Sequence, residues 1–262
     1  MKRQVSSVAA VILSASLAPA AVQTKVVEYE YDGTKLKGFL AYDDATKQKR
    51  PGVLVFPEWW GLNEYAKTRA KQLAELGYVA FAADLYGDGK VIDVAHPQDA
   101  LAMSKTLRDN VKLWRGRAAA GLGQLTAQPN VDPTKIAAIG YCLGGSTALH
   151  LAYTGADLKA VATFHAGLPV ATAEEAKAVK ANILVCNGAA DTYVPEKSVN
   201  QFRAALESGG VKPEIVNYDG VVHSFTSPDA DKVGNPAMKY DKTADEDSWK
   251  RMKELFLATL GK

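Results

Sequence analysis

Cys142 stands in Gly140-Tyr141-Cys142-Leu143-Gly144, between the short apolar run Lys135–Ile139 and a segment of helical pattern. This is a G-x-nucleophile-x-G elbow with cysteine where serine usually stands. The central residue of an elbow occupies a strained strand-to-helix turn, and small residues two before and two after it let strand and helix approach closely. A thiol in that place sits exposed at the top of a sheet. It also lies at a helix N-terminus, where unpaired amides and the macrodipole favour the thiolate. The competing reading is a buried, close-packed cysteine with no chemistry.

A nucleophilic thiol needs a base within hydrogen-bond reach and a third group that fixes the base in one tautomer. Of the four histidines, His150 falls on the helical segment after the elbow and reads as packed structure, and His96, before Pro97, reads as surface loop. His165 ends the apolar run Ala160–Phe164 and is a minor candidate for a place facing the crevice. His223 follows the last apolar run, in Asp219-Gly220-Val221-Val222-His223, a loop from which a histidine can reach back over a sheet. Asp191, in Asn187-Gly188-Ala189-Ala190-Asp191, could be only a turn or capping aspartate. The order nucleophile, acid, histidine favours more, because it is the chain order of the α/β-hydrolase triad.

An acyl-transfer site also needs backbone N–H groups aimed where negative charge develops. The amide of Leu143, next after the nucleophile, is one candidate; the loop after Gly52–Phe56 supplies the other, and there Trp59 is expected. Glu58 beside it is either a solvated loop acid or a partner that holds the thiol proton of Cys142. Trp60 and Tyr86 are candidates for an apolar substrate pocket, or for ordinary core packing.

These residues hang on a repeating frame. Thr24–Tyr31 and Leu36–Tyr42 alternate in polarity and meet at Asp32-Gly33, which predicts a hairpin on the edge of a larger sheet. Six continuous apolar runs follow: Gly52–Phe56, Tyr78–Ala82, Lys135–Ile139, Ala160–Phe164, Asn182–Val185 and Glu214–Tyr218. Such runs mark strands covered on both faces. Helical segments lie between them, Pro97–Ala127 being the longest. The alternation predicts an α/β fold with a mostly parallel, doubly wound sheet of about eight strands. The loop Asp84–His96 falls at a strand's C-terminal end, where open α/β sheets place binding crevices.

The 262 residues are 47% hydrophobic and 23% charged, ordinary for a globular chain. Residues 1–20 differ: Lys2 and Arg3, an apolar stretch Val8–Leu17, then Ala18-Pro19-Ala20. That pattern reads as a cleaved signal peptide and predicts an exported protein, periplasmic or secreted. Residues 21–262 read as one domain, since no repeat or linker divides them. Without Lys2 and Arg3 the 31 basic residues become 29 against 29 acidic, which gives no reason to expect nucleic acid or anionic membrane as a partner. A monomer is expected. The two cysteines, Cys142 and Cys186, fall on strands two places apart, roughly 9–10 Å, too far for a disulfide; Cys186 reads as a buried strand residue.

The blocks PEWWGLNEY, GYVAFAADLYG, GYCLGGS, GAADTYVP and VHSFTSPDAD, in that order, resemble the dienelactone hydrolase family of α/β-hydrolases over essentially all of residues 21–262. The resemblance implies a Cys142–Asp191–His223 triad, Glu58 as hydrogen-bond partner of the resting thiol, and oxyanion donors at Trp59 and Leu143. It implies hydrolysis of an ester or lactone through an acyl-thioester, without cofactor or metal. The best-known members hold a substrate carboxylate with two arginines, whose places are taken here by Asp88 and Ser227. Neither can form a charge-paired bidentate clamp, so a substrate other than dienelactone is expected. Acyl transfer by the same thioester, or a binding protein without turnover, are the alternatives.

Overall fold

The computed structural model describes residues 21–261, so the segment read as an export leader lies outside the described residues. The elements run β1 (Val22–Tyr31), β2 (Thr34–Asp43), β3 (Arg50–Phe56), α1 (Glu64–Glu75), β4 (Val79–Ala82), α2 (Pro97–Asp109), α3 (Val111–Thr126) and β5 (Val131–Tyr141). They continue with α4 (Leu143–Tyr153), β6 (Ala160–Phe164), α5 (Ala173–Ala178), β7 (Asn182–Gly188), α6 (Glu196–Ser208), β8 (Glu214–Tyr218) and α7 (Lys242–Leu260).

The strands form one eight-stranded sheet in the order β1-β2-β4-β3-β5-β6-β7-β8. The β1–β2 hairpin turns at Asp32-Gly33, both at positive φ, and β2 joins β4 antiparallel; the remaining pairings are parallel. Alternate residues of each buried strand feed two cores. Leu54 and Ala138 pack with α3, α4 and α6 residues such as Leu125, Leu149 and Phe202 on one face. Val53, Val55, Ala137 and Ile139 pack with Leu73 of α1 and Met252 and Phe256 of α7 on the other. Cys186 is fully buried in β7, separated from β5 by β6, and burial pushes its thiol up to about 12. Both cysteines are free.

Two local departures have clear causes. The helical stretch Pro97–Ala127 is two helices, because Asn110 leaves helical geometry (φ −131°, ψ 78°) and its side chain accepts from the amide of Leu113, capping α3. Strand β5 begins at Val131 rather than Lys135, since Val131 and Asp132 pair with Arg50 and Pro51 before a register shift. No helix among the described residues is long and apolar enough to cross a membrane.

A buried cation ties the second core to the C-terminal face of the sheet. Arg69 of α1 pairs with Asp245 of α7, donates to the carbonyl of Thr226 at 3.0 Å, and lies over the rings of Tyr65, Tyr141 and Trp249. Both partners are buried. Removing one partner of a buried pair leaves an uncompensated charge. Asp245→Ala is therefore expected to lower unfolding free energy by about 3 kcal/mol in urea denaturation, and a loss under about 1 kcal/mol would show that the pair behaves as an exposed one.

Candidate active site

The elbow forms because three backbones meet where no side chain fits. A Cβ on Gly140 would come within 2.1 Å of the Gly144 carbonyl oxygen, and one on Gly144 within 2.0 Å of the Phe56 carbonyl oxygen. Glycine at both positions lets the end of β5, the start of α4 and the end of β3 touch. Cys142, at the turn, is held at φ 50° and ψ −115°, a conformation that non-glycine residues rarely keep. Its amide donates to Phe164 O at 3.0 Å, and its carbonyl accepts from Gly145 and Ser146, so the strain is fixed by neighbours.

Close contact with β3 also fixes the second half of the site. The loop after β3 places Trp59 opposite Leu143, and both line the cavity that holds Cys142. Among the described residues neither amide has a hydrogen-bond partner. The loop is held from behind: Tyr86 Oη donates to Trp59 O at 2.8 Å and Ile92 N donates to Trp60 O at 2.9 Å. Asp84, which sequence reasoning did not single out, folds the supporting loop by accepting from the amides of Tyr86, Gly87, Gly89 and Lys37 at 2.7–3.0 Å.

His223 and Asp191 come together from the loops after β8 and β7. His223 Nδ1 donates to Asp191 Oδ2 at 2.7 Å, while Asp191 Oδ1 accepts from the Tyr193 amide at 2.8 Å. The aspartate is thus both the turn residue and the histidine's partner. Burial works against a charged His223 ring, but the charge of Cys142 and hydrogen bonds to Asp191 and Cys142 outweigh it and hold the imidazole well above its usual range. With Nδ1 on Asp191, Nε2 is left for Cys142.

Glu58 is buried, and its carboxyl accepts from Ser224 Oγ at 3.4 Å. Here the group that meets the acid is the hydroxyl of Ser224, at φ 58°, rather than the thiol of Cys142. Burial pushes the Glu58 carboxyl up to about 7, against the opposing pull of His223, the Ser224 hydrogen bond and Arg69.

The cavity is about 320 Å³. Besides Trp59, Cys142, Leu143 and His223 it is lined by Tyr193, Val194, Met238 and Ser146, with Leu101 and Arg108 of α2 on one wall. Tyr193 had a visible signal, being two residues from Asp191; Met238 had none, because only a bridge pairing brings it beside His223. Trp60, Tyr86 and His165 do not line the cavity. Trp60 and Tyr86 are buried behind Trp59, and His165 is fully buried beneath His223. The pattern marked them as aromatic or strand-end residues near the crevice, but their side chains turn inward from it. His150 packs on Trp114 and next to Arg115, as structural histidines do. Asp88 is exposed and pairs with Lys37, and Ser227 is buried in the turn after Ser224, so neither arginine-equivalent position reaches the cavity lining. No group of three or more His, Cys, Asp or Glu among the described residues is placed to hold a metal ion.

A parallel sheet with an elbow at β5–α4 and an Asp–His pair on later loops defines an α/β-hydrolase. The dienelactone hydrolase family's sequence model matches residues 36–260, and the chain belongs to that family. It is 29% identical over 229 residues to "Protein usf" of Aquifex pyrophilus, covering 86% of this chain and 94% of that one. A dienelactone hydrolase-like promiscuous phosphotriesterase from metagenomic libraries superposes with a TM-score of 0.87 at 40% identity, covering 91% of this chain and 99% of that one. A dienelactone hydrolase of Anabaena variabilis shares the fold with a TM-score of 0.64 at 21% identity, over 91% and 99% of the two chains.

The raised carboxyl of Glu58 has a stability consequence. Folded Glu58 keeps its proton up to about pH 7, whereas an unfolded glutamate loses it near 4.5. The folded state binds the extra proton between those values, so this contribution is complete below the lower one and is lost as pH rises through the upper one. Relative to Glu58→Gln, which does not titrate, the wild type should lose about 2–3 kcal/mol across that window. Urea denaturation at several pH values measures it, and a pH-independent difference would place the carboxyl at its ordinary value.

Proposed function

We propose that the chain hydrolyses a carboxylic ester or lactone through a Cys142 acyl-enzyme, with His223 as base and Asp191 as its orienting acid. The observation that carries this is the 2.7 Å Asp191–His223 bond behind a thiol seated in a strained elbow. Membership of a hydrolase family supports the reaction class.

The chemistry follows from the geometry. A His223 imidazolium stabilised by Asp191 leaves the Cys142 sulfur as thiolate, which attacks the substrate carbonyl carbon. The oxygen becomes an oxyanion in reach of the free amides of Trp59 and Leu143. Collapse breaks the ester C–O bond, and the alkoxide takes the proton from His223 Nε2. Water, deprotonated by the now neutral imidazole, then attacks the thioester, and release of the acid restores the thiolate and the imidazolium. A Glu58 carboxyl that is neutral on the acid side of its raised pKa does not compete with Cys142 for the imidazolium. The reading carries with it an exported location, from the leader pattern of residues 1–20.

A phosphotriester is a second substrate class, favoured by the 40% identical phosphotriesterase, because the same thiolate would attack phosphorus. Short-chain p-nitrophenyl esters and paraoxon separate the two. For the esters, Cys142→Ala is expected to lower kcat/KM at least about a thousandfold. Full activity in that variant, or no turnover by wild type across a panel of esters and lactones, would overturn the reading.

A further inference from the structure

Among the buried titratable groups that this chemistry leaves unused, His165 lies against the base itself. His165 is fully buried, at the end of β6, with its backbone held at φ 40°. Its ring meets the ring of His223 edge to face, with centroids 5.0 Å apart at 69°. A second ring, that of Tyr193, also meets His223, at 5.1 Å and 66°. The base is therefore gripped by two aromatic rings as well as by Asp191.

The hydrogen bonds of His165 run away from the cavity. Arg69 Nε donates to Tyr65 Oη at 3.2 Å, Tyr65 Oη donates to Thr226 Oγ1 at 2.6 Å, and Thr226 Oγ1 lies 2.8 Å from His165 Nε2. Direction is set from the guanidinium, which can only donate. Tyr65 spends its hydrogen on Thr226, so the Thr226 hydroxyl hydrogen is free for His165 Nε2, while His165 Nδ1 is buried with no hydrogen-bond partner among the described residues. The groups around His165 are His223, Thr226 and Phe225 on the late loop, Tyr141 of β5, and Tyr65 and Arg69 of α1. Burial, then the charge of His223, then Arg69 disfavour a cation there, so the ring is neutral beside the charged base.

We propose that His165 is a positioning residue for His223: a neutral imidazole, hydrogen-bonded to the Arg69–Tyr65–Thr226 relay, that holds the base in the pose facing Cys142. The same relay anchors the His223 loop, because Arg69 also donates to Thr226 O at 3.0 Å. The proposal rests on the reading of His223 as the base. Its effect is on kcat and on the order of the His223 ring, since His165 does not line the cavity.

The test uses the full chain and readouts that do not need turnover. Thr226→Val keeps the shape and removes the hydroxyl; Thr226→Ser restores the hydroxyl. Three quantities are followed: kcat and KM on a p-nitrophenyl ester, the rate of Cys142 alkylation by iodoacetamide against pH, and the downfield Nδ1–H proton resonance of His223. Thr226→Val is expected to lower kcat about tenfold with KM within about twofold, to slow alkylation, and to broaden the resonance. Thr226→Ser is expected to recover all three, and His165→Phe to reproduce the valine variant. Equal behaviour of Thr226→Val and Thr226→Ser would overturn the proposal, as would an unchanged resonance and alkylation profile in His165→Phe. An altered resonance with no ester turnover in wild type would remove the hydrolase reading and leave the positioning role standing. Turnover that survives Thr226→Val and His165→Phe undiminished would do the reverse.

Discussion

Everything at the site depends on one steric constraint, the contact of three backbones at Gly140 and Gly144. Because the strand, the following helix and the neighbouring strand's exit touch there, the thiol, the first turn of α4 and the Trp59 loop are placed by a single packing event. A methyl group at either glycine would drive a carbon into a carbonyl oxygen, so the site has little room to relax. The strain at Cys142 belongs to this arrangement. It is tolerated because the flanking backbone bonds of β5, β6 and α4 leave the residue no other conformation.

The histidine is held by a different principle. His223 sits on a long excursion between β8 and α7, a segment with little regular structure. Its position is instead determined by buried polar groups: Asp191 from one side, Glu58 through Ser224 from another, and the Arg69 cluster below through Thr226. Buried polar networks are costly when incomplete and rigid when satisfied. A loop supported in this way keeps a reactive side chain in register with the elbow without needing a strand under it.

The sequence foretold the parts that obey local rules. Continuous apolar runs marked the buried strands, the Asp32-Gly33 turn set the hairpin, and the glycine spacing marked the elbow. Asp191 and His223 were legible through their order in the chain. What escaped was decided by side-chain direction or by distant packing. His165 ends a strand as a crevice residue would, yet its side chain turns down onto Thr226. Trp60 and Tyr86 belong to the right loops but serve as backing for Trp59. Arg108 and Leu101 enter the cavity from a helix whose separate existence hung on Asn110, one polar residue inside an otherwise periodic stretch.

That break at Asn110 divides labour along the chain. Helix α3 buries Trp114, Arg117, Ala118 and Leu125 and belongs to the core, whereas α2 buries only Ala100, Ser104 and Leu107 and lends its outer residues to the cavity wall. The wall and the chemistry therefore rest on different packing. Substitutions along α2 can reshape what enters the cavity at small risk to folding, while the elbow, the Asp–His pair and their supports stay unchanged. One lightly buried helix thus carries part of the cavity's shape without carrying the core.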